Sequence, residues 1–245
     1  MKKPLFRTPH PSAKGMTFPK LSKRVVIRHG ASKNSKPAPV GAIEINSLEA
    51  IRNNSDKFKM KEIFQEVEVR SPECFENTQE NREIFKQKGW NVVFKKRRHK
   101  RSQGMEFLKV GEIDKLSDPI YEGGLLERRI NIRREWRVHC APALDRFFAM
   151  EKRKRLDHVE SLNRNLETCV FRKDFDEPDN WQEALTLTKK AIEAMGLDVA
   201  CVDLAWSGRF FYIIETNAAS GLGEETKAWY EQCYREVAEI KTQNA

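Results

Sequence analysis

Asp203, Glu215 and Asn217 sit in the most apolar part of a 245-residue chain. Asp203 interrupts a run of Val, Ala, Cys, Leu, Ala and Trp, and Glu215 and Asn217 end the run Phe-Phe-Tyr-Ile-Ile. Ser207-Gly208-Arg209 between the runs is a hairpin signal. Residues two apart on a strand share a face, so Glu215 and Asn217 point the same way. The turn folds Asp203 back roughly opposite Glu215. Two carboxylates and a carboxamide therefore converge at the edge of an apolar sheet, where uncompensated charge is costly. A basic side chain could pair with them, they could share a proton, or a hard divalent cation such as Mg²⁺ could bind through oxygen. The neutral Asn carbonyl favours the metal, because it adds a ligand without adding repulsion. Strand-end polar groups facing water are the competing reading.

The surrounding elements are legible in outline. Val199–Trp206 and Phe210–Thr216 read as the hairpin strands. Asn180-x-x-Glu183 opens a helix over 181–195 that Gly196 closes, and a last helix spans about 224–241. Ser47 caps a short helix through Asn53, and a second runs from about Ser55 to Val67. Residues 79–88 form a third, with Gly89 as its C′ residue. Strands are expected at 24–27, 90–94, 105–110, 124–127 and 136–140, and the charged stretch 150–164 as helix or loop. Residues 1–23, rich in Lys, Pro and Ser, read as a basic flexible arm.

Composition narrows the class. The net charge is +9 and the sequence pI about 9.3. Fourteen Phe and five Trp supply a core, so the chain is not of the disordered kind. No apolar run approaches the ~20 residues of a membrane span, and no apolar stretch behind the basic N-terminus makes a signal peptide. The five cysteines are scattered, without Cys-x-x-Cys, which fits reduced thiols in a cytoplasmic protein rather than a zinc ribbon or disulfide scaffold.

The segment AMGLDVACVDLAWS…YIIETNAASGL, within residues 194–222, resembles the C-terminal signature of ATP-grasp carboxylate–amine ligases, closest to the ribosomal-protein glutamate ligase branch. The twelve-residue separation of Asp203 from Glu215 and the Glu215-Thr216-Asn217 triplet fit that branch. Upstream segments resemble the family in the same order: VVIRHGAS (25–32), Asp56-Lys57 with Pro72 beyond, WNVVFKK (90–96), Ser102-Gln103-Gly104, Leu126-Glu127-Arg128-Arg129-Ile130 and Glu135-Trp136-Arg137. The resemblance spans about residues 24–225. It implies an α+β ATP-grasp fold with a nucleotide-contacting helix in 24–68, a lid subdomain over 69–126 and a C-terminal catalytic subdomain over 127–245. It implies that Asp203, Glu215 and Asn217 hold Mg²⁺, with Mn²⁺ able to substitute. Lys57 and Lys95 (Lys96 as the alternative) reach the ATP phosphates, under a loop formed by Ser102, Gln103 and Gly104. Glu127, Arg128, Arg129 and Ile130 flank the adenine, Glu135 reaches the ribose, and Arg137 the transferring phosphate or substrate. The sequence departs from the pattern too. The N-terminal lobe is reduced to one strand, Ser220-Gly221 replaces Pro-Gly, and the Arg and Asn expected after Arg137 are matched only by Arg164 and Asn165.

The implied reaction activates a carboxylate as an acylphosphate and joins it to the amine of an amino acid, peptide or protein. It needs no Ser, Cys or His nucleophile, only positioning and charge neutralisation by Mg²⁺, Lys95 and Arg137. Two other readings stay open. The basic run 95–101 and the cluster 152–155 suit a binding or assembly protein on this scaffold that contacts nucleic acid or an acidic protein. A kinase would stop at phosphate transfer. A compact chain lacking the substrate lobe also fits a phage-encoded protein acting in a host cytoplasm.

Overall fold

The computed structural model describes residues 1–31, 34–97, 104–158 and 168–245. Among the described residues the strands form three sheets. The first is parallel and joins β1 (Leu5–Arg7), β2 (Val25–Arg28) and β3 (Ile43–Ile45), with Leu5 beside Val26 and Val25 beside Ile43. The central strand, Val-Val-Ile-Arg, is buried throughout, as a strand covered on both faces must be.

The N-terminal arm and the single strand expected beside it are therefore corrected. Leu5–Arg7 extends the sheet, and Ala13, Met16, Phe18 and Leu21 are buried with Tyr230, Tyr234 and Val237 of the last helix. Between β1 and β2 the segment runs as mostly irregular chain with one 3-10 turn, Pro11–Ala13. Its apolar residues follow contacts rather than a period, so neither the helix nor the strand template detects them.

Two helices follow. Ser47 caps α1 (Leu48–Ser55) through its hydroxyl, which accepts from the Ala50 N–H at 3.1 Å. The cap of α2 (Lys57–Glu66) is Asp56, whose carboxylate accepts from the Phe58 and Lys59 N–H groups at 3.1 and 3.2 Å.

Next come β4 (Cys74–Glu76), α3 (Gln79–Lys88), β5 (Val92–Lys96), β6 (Glu106–Leu108) and β7 (Gly124–Arg128). Their antiparallel sheet has the order β4-β7-β5-β6. Phe85 of α3 packs with Val92, Phe94, Leu108 and Leu126 beneath it. Gly89 ends α3 with φ of +63°, where a side chain would be strained.

The third sheet contains β8 (Arg134–Ala141), β9 (Arg146–Lys154), β10 (Cys169–Arg172), β11 (Ala200–Trp206) and β12 (Phe211–Asn217), in the order β10-β9-β8-β11-β12. Helices α4 (Trp181–Ala194) and α5 (Glu224–Gln243) complete the chain. The charged stretch expected as helix or loop runs as β9 through Lys154. Its charges are answered across the strands: Glu151 accepts from Arg134 at 2.6 Å and Lys152 donates to Glu135 at 2.5 Å. One face of this sheet presents Trp136, Val138, Cys140, Val202, Leu204 and Ile213 to Trp181, Ala184, Ala191 and Ile192 of α4. The other face carries the polar residues described next.

Candidate active site

Strand register brings the acidic hairpin together. Asp203 pairs with Arg137 on β8 and with Glu215 on β12. A bulge lies at this point: Leu204 opposes Ile213 while Asp203 opposes Glu215, leaving Ile214 as the extra residue. Ile213 packs in the core with α4. Without the bulge Glu215 would share its face. With it, Glu215 and Asn217 turn to the side of Asp203, and the row Met150, Arg137, Asp203, Glu215 crosses the sheet.

Each acid in that row meets a cation. The Arg137 guanidinium binds Asp203 through both oxygens, Nε–Oδ1 at 2.9 Å and Nη2–Oδ2 at 3.1 Å, and lies 4.9 Å from the centre of the Phe171 ring. Lys152 stands 3.9 Å from Asp203 Oδ2. Lys57 of α2 donates to Glu215, and Asn217 Nδ2 donates to Glu215 Oε1 at 3.0 Å. Of the compensations the sequence left open, pairing with basic side chains is the one present here. Burial pushes the Glu215 carboxyl up, but Lys57, joined by Asn217 and Lys95, outweighs it and holds the group well below the usual carboxylate range. Asp203 is likewise lowered, with Arg137 and Lys152 overriding burial and the neighbouring Glu215. Burial alone lowers Arg137, yet Asp203 carries its pKa above the ordinary value.

A second ionic group lies beside the first. Glu127 on β7 is buried between Lys95 Nζ at 2.5 Å and Lys61 Nζ at 3.2 Å. Lys61 also donates to the Ile213 carbonyl at 3.4 Å. Burial opposes the charge on both lysines. Glu127 nonetheless holds Lys95 above its usual value, whereas Lys61 remains below its own. Lys96, the alternative to Lys95, points to the opposite side of β5 and is exposed. Arg97 ties the smaller sheet to α2. Its Nε donates to both Asp56 oxygens at 3.0 Å, and its carbonyl accepts from the Lys57 N–H at 3.4 Å.

Lys57, Lys95, Glu127, Arg137, Asp203, Glu215 and Asn217 thus form two adjoining clusters. Glu135 is joined to them through Lys152. Arg128 turns aside, paired with Glu73 at 2.8 Å and lying over Trp90, while Arg129 is exposed and Ile130 half-buried. Gly104 adopts φ of +71°, and an added Cβ would lie 3.1 Å from Lys96 Cε. Ser102, Gln103, residues 98–101 of the basic run, Arg164 and Asn165 lie outside the described residues. In the cluster 152–155, Lys152 faces the sheet interior and Arg153 pairs with Glu151 at 2.5 Å, so it is not a uniformly solvated run.

The reading of the sequence missed Lys61, Lys152 and Phe171. Lys61 carried a detectable signal, since it lies four residues after Lys57 and therefore on the same face of α2. Lys152 was hidden within a charge run, and Phe171 gave no signal.

The donor set fits a hard cation. Two carboxylates and a carboxamide oxygen share one face, and every atom a cation would take from them is oxygen.

No protein-family model matches the chain, and no curated protein matches it in sequence. Solved structures do. The ATP-grasp ligase PsnB, determined with a minimal precursor, superposes with a TM-score of 0.59 at 14% identity over 82% of this chain. D-alanine–D-alanine ligase from Bacillus anthracis, complexed with ATP, gives 0.63 at 13% identity, covering 89% of this chain and 78% of its own. D-alanyl-alanine synthetase A from Vibrio cholerae O1 biovar eltor gives 0.61 at 14% identity, covering 86% and 76%. This chain spans 65% of the length of PsnB. At such identities the likeness is one of architecture, and the architecture is the ATP-grasp fold.

Proposed function

We propose that this chain is an ATP- and Mg²⁺-dependent ligase that activates a carboxylate as an acylphosphate and joins it to an amine of an amino acid, peptide or protein. The observation that supports this best is the row Arg137–Asp203–Glu215 with Lys57 and Asn217, on an ATP-grasp fold. Three cations, Lys57, Lys95 and Arg137, are held against carboxylates at one site. A polyphosphate arriving there offers each a second anionic partner. The resemblance to the glutamate ligase branch names an amino-acid amine as one acceptor, and PsnB has been determined in complex with a precursor peptide.

In this reading Asp203, Glu215 and Asn217 would hold Mg²⁺, which supplies charge neutralisation at the phosphates. Lys57 and Lys95 bind phosphate oxygens, and Arg137 orients the transferring group. A substrate carboxylate oxygen attacks the γ-phosphorus, the bond to ADP breaks, and an acylphosphate forms. The amine nitrogen then attacks the acyl carbon, phosphate departs with the C–O electron pair, and the amine proton passes to solvent. Two binding arrangements support the first step: Arg137 stacked on Phe171 needs little reordering, and Lys57 sits at the start of a capped helix.

The test has two parts. Mg²⁺·ATP at a hundredfold excess over its Kd should stabilise the native state by about 2.7 kcal/mol in thermal or urea unfolding. Incubation with ATP, Mg²⁺ and mixed amino acids or peptides should give products joined with loss of water, detected by mass spectrometry, with ADP released in equal amount. A folded protein that shows no nucleotide-dependent shift at millimolar Mg²⁺·ATP refutes the reading.

A further inference from the structure

We infer that Lys61 is a positioning residue: by holding Glu127 it leaves Lys95 available to nucleotide phosphate. The inference rests on the proposed role of Lys95 at the phosphates. Three observations carry it. Glu127 is 4% exposed and touches both lysines, Lys95 through Oε1 at 2.5 Å and Lys61 through Oε2 at 3.2 Å. Lys61 is 6% exposed, and its ammonium has a second anchor in the Ile213 carbonyl at 3.4 Å, next to the bulge that turns Glu215. Lys95 comes from β5 of the smaller sheet, whereas Lys61 comes from α2, whose Met60 and Phe64 are fixed in the main core.

A buried carboxylate that loses its only cation is strongly destabilised. With Lys95 as sole partner, Glu127 would resist giving it up, and that resistance would be felt as weaker nucleotide binding. With Lys61 in place, Glu127 remains compensated when Lys95 shifts. The trio also carries two positive charges against one negative. A phosphate that approaches Lys95 answers the surplus, and the repulsion between the ammonium groups favours the move. Lys61 therefore acts through Lys95 and needs no contact with the nucleotide.

The experiment compares Mg²⁺·ADP with adenosine, which lacks the phosphates, in wild type, Lys61→Met, Lys61→Gln and Lys61→Met/Glu127→Gln. Binding is read by calorimetry and by competition. In both single variants ADP should weaken about tenfold or more, while adenosine changes by less than about twofold. In the double variant Glu127 no longer retains Lys95, so the ratio of ADP to adenosine affinity should return to within about threefold of wild type. Lys61→Gln keeps a hydrogen-bond donor toward Glu127 and Ile213, and supplies the reading if the Met variant does not fold. Unchanged ADP binding in a folded single variant overturns the inference. So does equal weakening of ADP and adenosine, or absence of rescue in the double variant. If wild type binds no ADP, the ligase reading fails and this inference with it; if wild type binds and Lys61→Met binds equally well, only this inference fails.

Discussion

Lys57→Met should convert the site into one that takes Mg²⁺ without nucleotide. The Lys57 ammonium occupies the position beside Glu215, where a cation would neutralise it. The side chains are 15% and 28% exposed, so the pair is largely shielded from solvent. Two unit charges in contact at an effective dielectric near 20 attract by about 4 kcal/mol, and desolvation removes part of this. A net loss of about 2 kcal/mol on replacing Lys57 is therefore expected near pH 7. The pH dependence has a fixed sign. Burial pushes Glu215 up, and Lys57 with Asn217 and Lys95 more than offsets it, so its folded pKa lies below the ordinary value. The pair's stabilisation is complete above the unfolded value of about 4.3 and is lost as pH falls through the lower folded value. The variant keeps burial without the ammonium, so its Glu215 titrates above the wild-type value, and its penalty shrinks as the pH falls through that higher value toward the wild-type one. Mg²⁺ binding with a Kd of about 1 mM would restore about 1.4 kcal/mol at 10 mM by mass action. Urea unfolding of wild type and variant at pH 7 and pH 4, with and without 10 mM Mg²⁺, measures all three quantities. A variant as stable as wild type, or one that gains no more from Mg²⁺ than wild type does, refutes both the pairing energetics and the metal reading.

Asp203→Asn should cost about 3 kcal/mol in urea unfolding at pH 7, because it strands the largely shielded Arg137 guanidinium, and adding Arg137→Met should recover part of the loss. Equal stability of Asp203→Asn and wild type would refute this. His29 and His139 are lowered to about 4 and about 3, chiefly by burial, and so stay neutral in the fold. Both unfold to ordinary histidines near 6.5, so native stability is full above about pH 6.5 and falls as pH drops toward 4, by up to about 2.7 kcal/mol per pH unit. Unfolding free energies that are flat between pH 7 and pH 5 would refute that burial.

The acidic hairpin was legible because its signal is local. Twelve residues and one turn bring Asp203 near Glu215, while the bulge at Ile214 that sets them opposite each other left no mark in the sequence. Caps at Ser47 and Gly89 were legible for the same reason. What escaped depends on distant chain. β1 exists because β2 offers it a hydrogen-bonding edge, and Leu-Phe-Arg alone is too short to signal a strand. β9 carries charges on both faces, which breaks the alternation expected of a half-buried strand; Glu151 and Lys152 are compensated by Arg134 and Glu135 of β8, with Arg153 and Asp203 adding to the pairing. The pairing of Lys57 with Glu215 spans 158 residues of sequence, and no spacing rule reaches that far.

The same pairings change what removal of an acid does. From sequence, neighbouring carboxylates suggest that neutralising one relieves repulsion and firms the fold. In the structure Asp203 and Glu215 do repel, yet each is lowered, because attraction to Arg137, Lys152 and Lys57 exceeds that repulsion. Neutralising Glu215 would leave Lys57 largely buried without its carboxylate, so the fold loses stability along with the oxygen ligand. The site is thus balanced by its own side chains before any ligand arrives. A nucleotide and its metal would enter by exchange, the cation replacing Lys57 and Arg137 at the carboxylates while the phosphates receive the two basic groups. Exchange conserves the number of ion contacts in a shielded site, so binding need not leave any of these charges uncompensated.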